Sequence, residues 1–447
     1  MAILLIPPVI MDFPILKPEM IWMLIGERLA AGYSMYVHVV DDNGPLSAGV
    51  YWLTHLLAGK SLPVYRYSGV LILLFQAVYF NRLLIRYKSF EENTYIPALV
   101  MTVLFFISFD FITLSPALLG STFVLLALGQ LFSLTVLHEE SPEPFLLVGL
   151  FGGIAFCFHS PFLVFLPFII ITGIIVSGFN FNQTLLSLTG YLLPFALCST
   201  YYFWIDGLDE FIYGFVLGPH LVDYDHLMSL ADIAILFALP LTLTFMGVVS
   251  GTLLKRLTVN QQKQNQLLLF YLFFSFLPLF IAKERAGFQL LTLLPAMAFF
   301  ISQLFIYIKN TQVRTFIFYT FLLGVPSIGY TWAYYQLETE GLEAYLVDSG
   351  PEYEFTRGSR VLVLGTELGY YRDASLAGPY LNYNLSEDLL KREKSFEELT
   401  QIYLSLAQEK PEYIIDKNGV LAKLIESVPA LKELYTEKQG VFYLKSP

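Results

Sequence analysis

Runs of about twenty apolar residues, interrupted by few charges, repeat along most of this chain. Ten such runs lie near 62–80, 95–112, 116–136, 144–158, 161–177, 184–205, 231–253, 267–282, 288–308 and 315–333. A helix that crosses the hydrocarbon core of a bilayer needs about 20 mostly apolar residues. In lipid, every backbone N–H and C=O must also be satisfied inside the segment. The pattern therefore predicts a polytopic all-α membrane protein with ten or eleven transmembrane helices. Composition agrees: 56% of the 447 residues are hydrophobic and 14% charged, against roughly a quarter charged in soluble domains. A soluble enzyme is excluded. Forty Phe, 29 Tyr and 4 Trp suit a protein with many membrane interfaces. The net charge of −11 argues against nucleic acid, whose phosphates need clustered Lys and Arg. Cys157 and Cys198 both sit inside apolar runs and make neither a disulfide framework nor a metal cluster by spacing.

The opening run Met1–Met11 is apolar, short and broken by Pro7-Pro8. It reads as a truncated first span, an interfacial segment or the remnant of a misplaced start, and it lacks the basic leader and cleavage site of a signal peptide. If the loop at 81–92 is cytoplasmic and sides alternate, the inner connectors hold eight basic residues and the outer loops six. The inner ones are short, where the positive-inside bias applies. Acids divide further, thirteen outside (Asp12, Glu19, Glu27, Asp41, Asp42, Asp110 and Asp232 among them) against five inside. Acids do little to set topology, so their gathering on one side directs the search for function to the outer face.

After Trp332 the composition changes. Residues 334–447 hold 12 of the 26 basic and 19 of the 37 acidic residues. Val361–Leu364, Tyr413–Ile415 and Val441–Leu444 read as strands, and 386–408 and 419–436 carry helical spacing. The expected division is a transmembrane region, 1–333, and a small soluble extracytoplasmic α/β domain, 334–447. Gly365-Thr366-Glu367-Leu368-Gly369 follows a strand but lacks the three-glycine dinucleotide spacing.

The loop 12–60 contains two amphipathic stretches suited to lie along a membrane surface, one with Met20, Leu24 and Ile25 on a face, the other with Val50, Leu53 and Leu57. Between them is Asp41-Asp42-Asn43-Gly44-Pro45. Two readings are open here. Acids before a Pro at a first helical turn are an ordinary helix start, while a paired carboxylate beside the lipid boundary suits a general base or a cation ligand. Asp110, inside a strongly apolar run, is expensive there, and an intramembrane acid is a functional candidate by default. The acids and histidines of 206–230, including Asp223, Asp225 and His226, suggest a solvated lid, with a divalent cation as a candidate ligand.

Ile25-Gly26-Glu27-Arg28-Leu29-Ala30-Ala31-Gly32, then Asp42-Asn43-Gly44-Pro45-Leu46, Tyr51-Trp52, Leu57-Ala58-Gly59 and Arg66, resemble the first periplasmic loop of the GT-C glycosyltransferases, notably aminoarabinose transferase and the protein O-mannosyltransferases. Phe109-Asp110-Phe111, His159-Ser160-Pro161-Phe162, Lys283-Glu284-Arg285 and Leu293-Leu294-Pro295 stand where that family has an acid at a helix start, a Lys-Gly-Pro turn, and a basic loop before a Pro-containing helix. The resemblance spans most of the chain through short motifs, and their arrangement carries it. Where the family has an Asp-Glu pair, this chain has Lys17-Pro18-Glu19, so Glu19 or Asp12 stands in for the expected Asp.

The resemblance implies an inner-membrane, multi-pass transferase that moves a sugar from a polyprenyl-phosphate donor to an acceptor (protein, glycolipid or polysaccharide) at the outer face. A carboxylate must take the acceptor's proton, and basic groups must hold the phosphate. Asp42 or Asp41 is the expected base with Glu19 as rival, and Arg66, Lys283, Arg285 and His159 are the expected phosphate ligands. Each basic group also has a plain structural role, such as snorkelling to headgroups or a surface ion pair. Competing readings are a lipid flippase or transporter, which would show inverted repeats and mid-bilayer polar groups, and a non-catalytic assembly partner.

Overall fold

The computed structural model describes residues 13–136, 141–221, 226–253, 257–282, 284–339, 341–391, 396–438 and 440–445. The opening run Met1–Met11 lies outside them, as do Lys283, Asp12, Asp223 and Asp225. Two compact units divide the chain. One comprises Met1–Phe13, Tyr65–Cys198 and Asp225–Ala344, the other Pro14–Val64, Ser199–Tyr224 and Tyr345–Pro447.

The chain is a polytopic helical membrane protein with a small sheet near its C-terminus. Its helices are α1 (Lys17–Ala30), α2 (Pro45–Ala58), α3 (Leu62–Arg86), α4 (Ile96–Leu104), α5 (Pro116–Val136), α6 (Glu143–Phe158), α7 (Phe165–Ile175), α8 (Phe181–Trp204), α9 (Leu230–Leu253), α10 (Val259–Phe274), α11 (Leu294–Tyr307) and α12 (Thr311–Glu338). Among the described residues, seven helical segments are long and apolar enough to cross a membrane, and 143–158 and 160–175 form shorter apolar helices. The run 95–112, expected as a span, is instead broken. Helix α4 stops after nine residues, and Phe109–Ile112 forms a 3₁₀ turn. The break is held by a tertiary contact, because Ser108 donates to Asp110 and Asp110 accepts the N–H of the distant Phe288 rather than extending the helix.

In the first unit, α11 is the central helix. Thirteen of its fourteen residues are buried, as expected for a helix that is apolar all round. It packs on α9 at Gly247, where an added Cβ would come within 2.0 Å of the Phe300 carbonyl oxygen. Small residues at such crossings let helices approach closely where lipid offers no hydrophobic drive between them. The opposite kind of surface appears on α8, which leaves Leu185, Leu192, Leu193, Leu197 and Phe203 exposed. Apolar side chains in a row on a long helix are stable there only against lipid.

The second unit contains a five-stranded sheet, in the order β2-β1-β3-β5-β4, from β1 (Arg360–Val363), β2 (Ser375–Leu376), β3 (Tyr413–Ile415), β4 (Tyr435–Lys438) and β5 (Val441–Leu444). Strands β1, β2 and β3 run parallel, while β5 is antiparallel to β3 and β4. The three expected strands are present, and β2 and β4 are additional. Helices α13 (Tyr383–Lys391), α14 (Phe396–Glu409) and α15 (Val420–Ser427) complete the unit. Its core unites Leu362, Ile414 and Phe442 of the sheet with Leu406, Leu421 and Leu424 of the helices. Helices α1 and α2 of the first loop belong to this unit as well.

Candidate functional site

The first loop is built as a helix pair with a folded turn between. Glu19 starts α1: it is fully buried, and its carboxylate accepts the Leu16 N–H at 3.0 Å, half of a capping box. Gly26 brings α1 against α2, since a Cβ there would lie 2.5 Å from the Tyr51 carbonyl oxygen. Trp22 stacks on Tyr51. The apolar side of α1 is buried, whereas α2 exposes Trp52, Leu53, Leu56 and Leu57. An exposed apolar helix face of this kind suits a membrane surface.

Between the helices the backbone turns through Tyr36, held at φ 67°, a conformation that costs a non-glycine residue about 1–2 kcal/mol. Burial holds it there. The Tyr36 ring meets Tyr202 and Phe211 edge-on at 5.2 and 5.4 Å, and Phe211 stacks on both Tyr202 and Phe215. The Tyr36 hydroxyl donates to the Asn43 carbonyl at 2.6 Å. Residues 208–221 are therefore helical, with Ile212–Leu217 a π-turn and Phe211 and Phe215 buried, rather than the solvated lid expected from their acids.

This frame fixes Asp41. Its carboxylate is 1% exposed and accepts from the Asn43 backbone N–H at 2.9 Å and the Asn43 side-chain amide at 2.6 Å. The neighbouring backbone is tied to the segment before α13, because Val40 donates to Pro379 and accepts from Asn382. Burial, followed by the charge of adjacent Asp42, pushes the Asp41 carboxyl up to about 7, against the smaller opposing pull of Asn43 and Asn382. Two adjacent carboxyls in a site of this kind titrate as a pair. Asp42 is half-buried.

Two cations brace the same unit. Arg28 makes a bidentate pair with Glu409 at the end of α14, both contacts 2.7 Å, and lies over the Tyr33 ring at 3.6 Å. Glu409 also accepts the Gly378 N–H at 2.6 Å. Lys60 donates to the carbonyls of Tyr371 and Ala374 at 2.5 and 3.0 Å and stands 3.7 Å from Glu27. Its burial lowers the amine's proton affinity, offset in part by the Glu27 charge.

In the first unit, Asp110 and His159 meet one segment, the 3₁₀ turn Gly287–Leu293 that leads into α11. Asp110 is fully buried; Ser108 donates to its Oδ1 at 2.5 Å and the Phe288 N–H to its Oδ2 at 2.9 Å. Gly287 is required by this closeness, for a Cβ would come within 2.7 Å of Oδ1. A carboxylate on the unpaired N–H groups of a helix start is favourable by charge and geometry. His159 Nε2 lies 2.6 Å from Gln289 Oε1, so the ring donates to a neutral amide. Arg285 donates to His226 Nε2 at 3.1 Å, and its carbonyl accepts the Met228 N–H. Arg66, half-buried at the start of α3, donates to the Phe13 carbonyl at 2.9 Å.

The expected site residues thus divide by unit. Asp41, Asp42 and Glu19 belong to one; Asp110, His159, Arg66 and Arg285 belong to the other, and Lys283 lies outside the described residues. Among the described residues, no three His, Cys, Asp or Glu side chains converge as metal ligands. Asn43, Asn382, Gln289 and Glu409 were not foreseen. Asn43 sits within the turn motif, but the other three act across hundreds of residues or from a plain apolar context.

The fold, a membrane helix bundle with a terminal α/β region, is shared with solved membrane proteins. ArnT from Cupriavidus metallidurans, solved bound to undecaprenyl phosphate, matches 88% of this chain and 90% of its own with a TM-score of 0.53 and 13% identity. Its apo structure gives 0.52 over 96% and 93%, at 10% identity. The oligosaccharyltransferase AglB from Archaeoglobus fulgidus, in complex with an inhibitory peptide and a dolichol-phosphate, gives 0.51 over 97% of this chain and 70% of its own, at 10% identity. No family model and no curated protein matches the sequence.

Proposed function

We propose that this protein is a glycosyltransferase of the inner membrane that moves a sugar from a polyprenyl-phosphate donor to an acceptor at the extracytoplasmic face, where its C-terminal α/β region would also lie. The buried Asp41 carboxyl, raised to about 7 beside Asp42, carries this reading. A general base works best when its proton affinity is close to the working pH, and strongly shifted acids concentrate at functional sites. The fold adds support, since two proteins that share it were solved with polyprenyl phosphates bound.

In the proposed reaction, the ionised member of the Asp41–Asp42 pair takes the acceptor's proton as its oxygen attacks the anomeric carbon. The bond to the donor phosphate breaks on the opposite side, which inverts that carbon. Glu19 is less suited to the base role, because its carboxylate caps α1. The donor's phosphate is assigned to Arg285, Arg66 and Lys283; His159 does not suit that role, because its Nε2–H is given to Gln289. Arg is well suited to phosphate by its planar, forked donors. Mass spectrometry of lipids retained by the purified protein tests this. A polyprenyl-phosphate sugar is expected, and its identity names the sugar; retention of bulk phospholipid alone contradicts the donor assignment.

A further inference from the structure

The two cysteines are unused by the proposed reaction, yet the fold brings them together. Helices α6 and α8 run in the same direction along a seam of close contacts. A Cβ at Gly149 would lie 1.8 Å from the Ser187 carbonyl oxygen, and one at Gly153 would lie 2.0 Å from that of Tyr191 and 3.1 Å from the Pro194 ring. From the other side, a Cβ at Gly190 would lie 2.4 Å from the Leu146 carbonyl oxygen. The two backbones therefore touch along about two helical turns. One turn beyond the contact of Gly153 with Pro194, the same two faces carry Cys157 and Cys198. Their side chains lie close enough to influence each other. Both are free thiols; Cys157 is buried and Cys198 is partly accessible.

We propose that Cys157 and Cys198 are a dithiol that closes to an interhelical disulfide on reaction with a small disulfide. Disulfides need Cα atoms about 4.4–6.8 Å apart, and a glycine-packed seam that carries one cysteine on each facing side is the setting that supplies such closeness. The step is thiol–disulfide exchange. The accessible Cys198, as its thiolate, attacks one sulfur of the reagent and expels the other half as a thiol. Cys157 then attacks the sulfur of Cys198 in the mixed disulfide and expels the second half. Both cysteines are oxidised, the reagent is reduced to two thiols, and those thiols carry away the two protons. With only two cysteines in the chain, no competing pair exists within the molecule.

The test uses the full chain in detergent or nanodiscs, with the apolar reagent 4,4′-dithiodipyridine, whose released thiopyridone is read by absorbance. One equivalent of reagent is expected to release two thiopyridones per chain. The intact protein should lose the mass of two hydrogens, retain no pyridyl group, and yield one linked peptide pair containing both cysteines. Its apparent Tm should rise. The Cys157→Ser protein should instead keep a stable pyridyl adduct on Cys198. A requirement for two equivalents, with a pyridyl adduct on each cysteine of the native chain, overturns the proposal, as does cross-linking between chains.

Discussion

At the scale of single residues, Asp41 carries the most specific expectation. In the folded chain it keeps its proton up to about pH 7, whereas the free side chain releases it near 3.8. The folded state therefore holds a proton across that window that the unfolded state lacks, and stability falls as pH rises through it. Activity moves the other way, because the base must be ionised. Transfer should climb with pH toward about 7 and then level. Asp41→Asn should lower transfer by about 10²-fold or more and remove the pH dependence of stability in that range, with a Tm above pH 7 no lower than that of the natural chain. Thermal unfolding and rate profiles on the same preparations check both signs. A purely structural Asp41 would lose stability on this change without altering the shape of the rate profile.

The elements were legible to different degrees. The long apolar runs predicted helices well, because the demand that backbone groups be satisfied in lipid leaves few alternatives. The run 95–112 failed as a span because two small polar side chains, Ser108 and Asp110, found partners that a hydropathy pattern does not register. Strand β2 is two residues long, too short for an alternation to appear. The helix at 208–221 was hidden by its surface acids, while Phe211 and Phe215 did the packing. Close approach between elements is the main thing a sequence conceals. The contact of α9 with α11 rests on Gly247, and Gly247→Leu should separate the two helices or abolish assembly. A Tm lower by several degrees, or loss of monodisperse protein on size-exclusion chromatography, is the expected result.

On the scale of the whole molecule, residues 14–64 and 345–447 share a compact unit, a pairing that leaves no local trace in the sequence. The division expected near residue 333 follows a real change in composition, yet α1 and α2 are counted with the sheet. Arg28 and Glu409 join them across 381 residues, with side chains 4% and 11% exposed. Removing one partner of such a buried pair typically costs about 3–5 kcal/mol, because the other charge is left uncompensated. Glu409→Ala should therefore expose the first loop to limited proteolysis, whereas a change at the Glu367–Lys417 pair, with side chains 33% and 58% exposed, should do little. Of the candidate site, the paired acids were readable because they stand side by side in the sequence. Their burial and their bond to Asn43 and the Asn382 segment were not, since tertiary packing alone creates them.

The central claim is that the Asp41–Asp42 pair is the base in sugar transfer from a polyprenyl phosphate. The most direct measurement is transfer of label from a polyprenyl-phosphate sugar to acceptors in membranes containing either the natural protein or the Asp41→Asn/Asp42→Asn double variant at equal abundance. The variant is expected to retain the donor lipid and to transfer no label above background. Full transfer by that variant would contradict the claim.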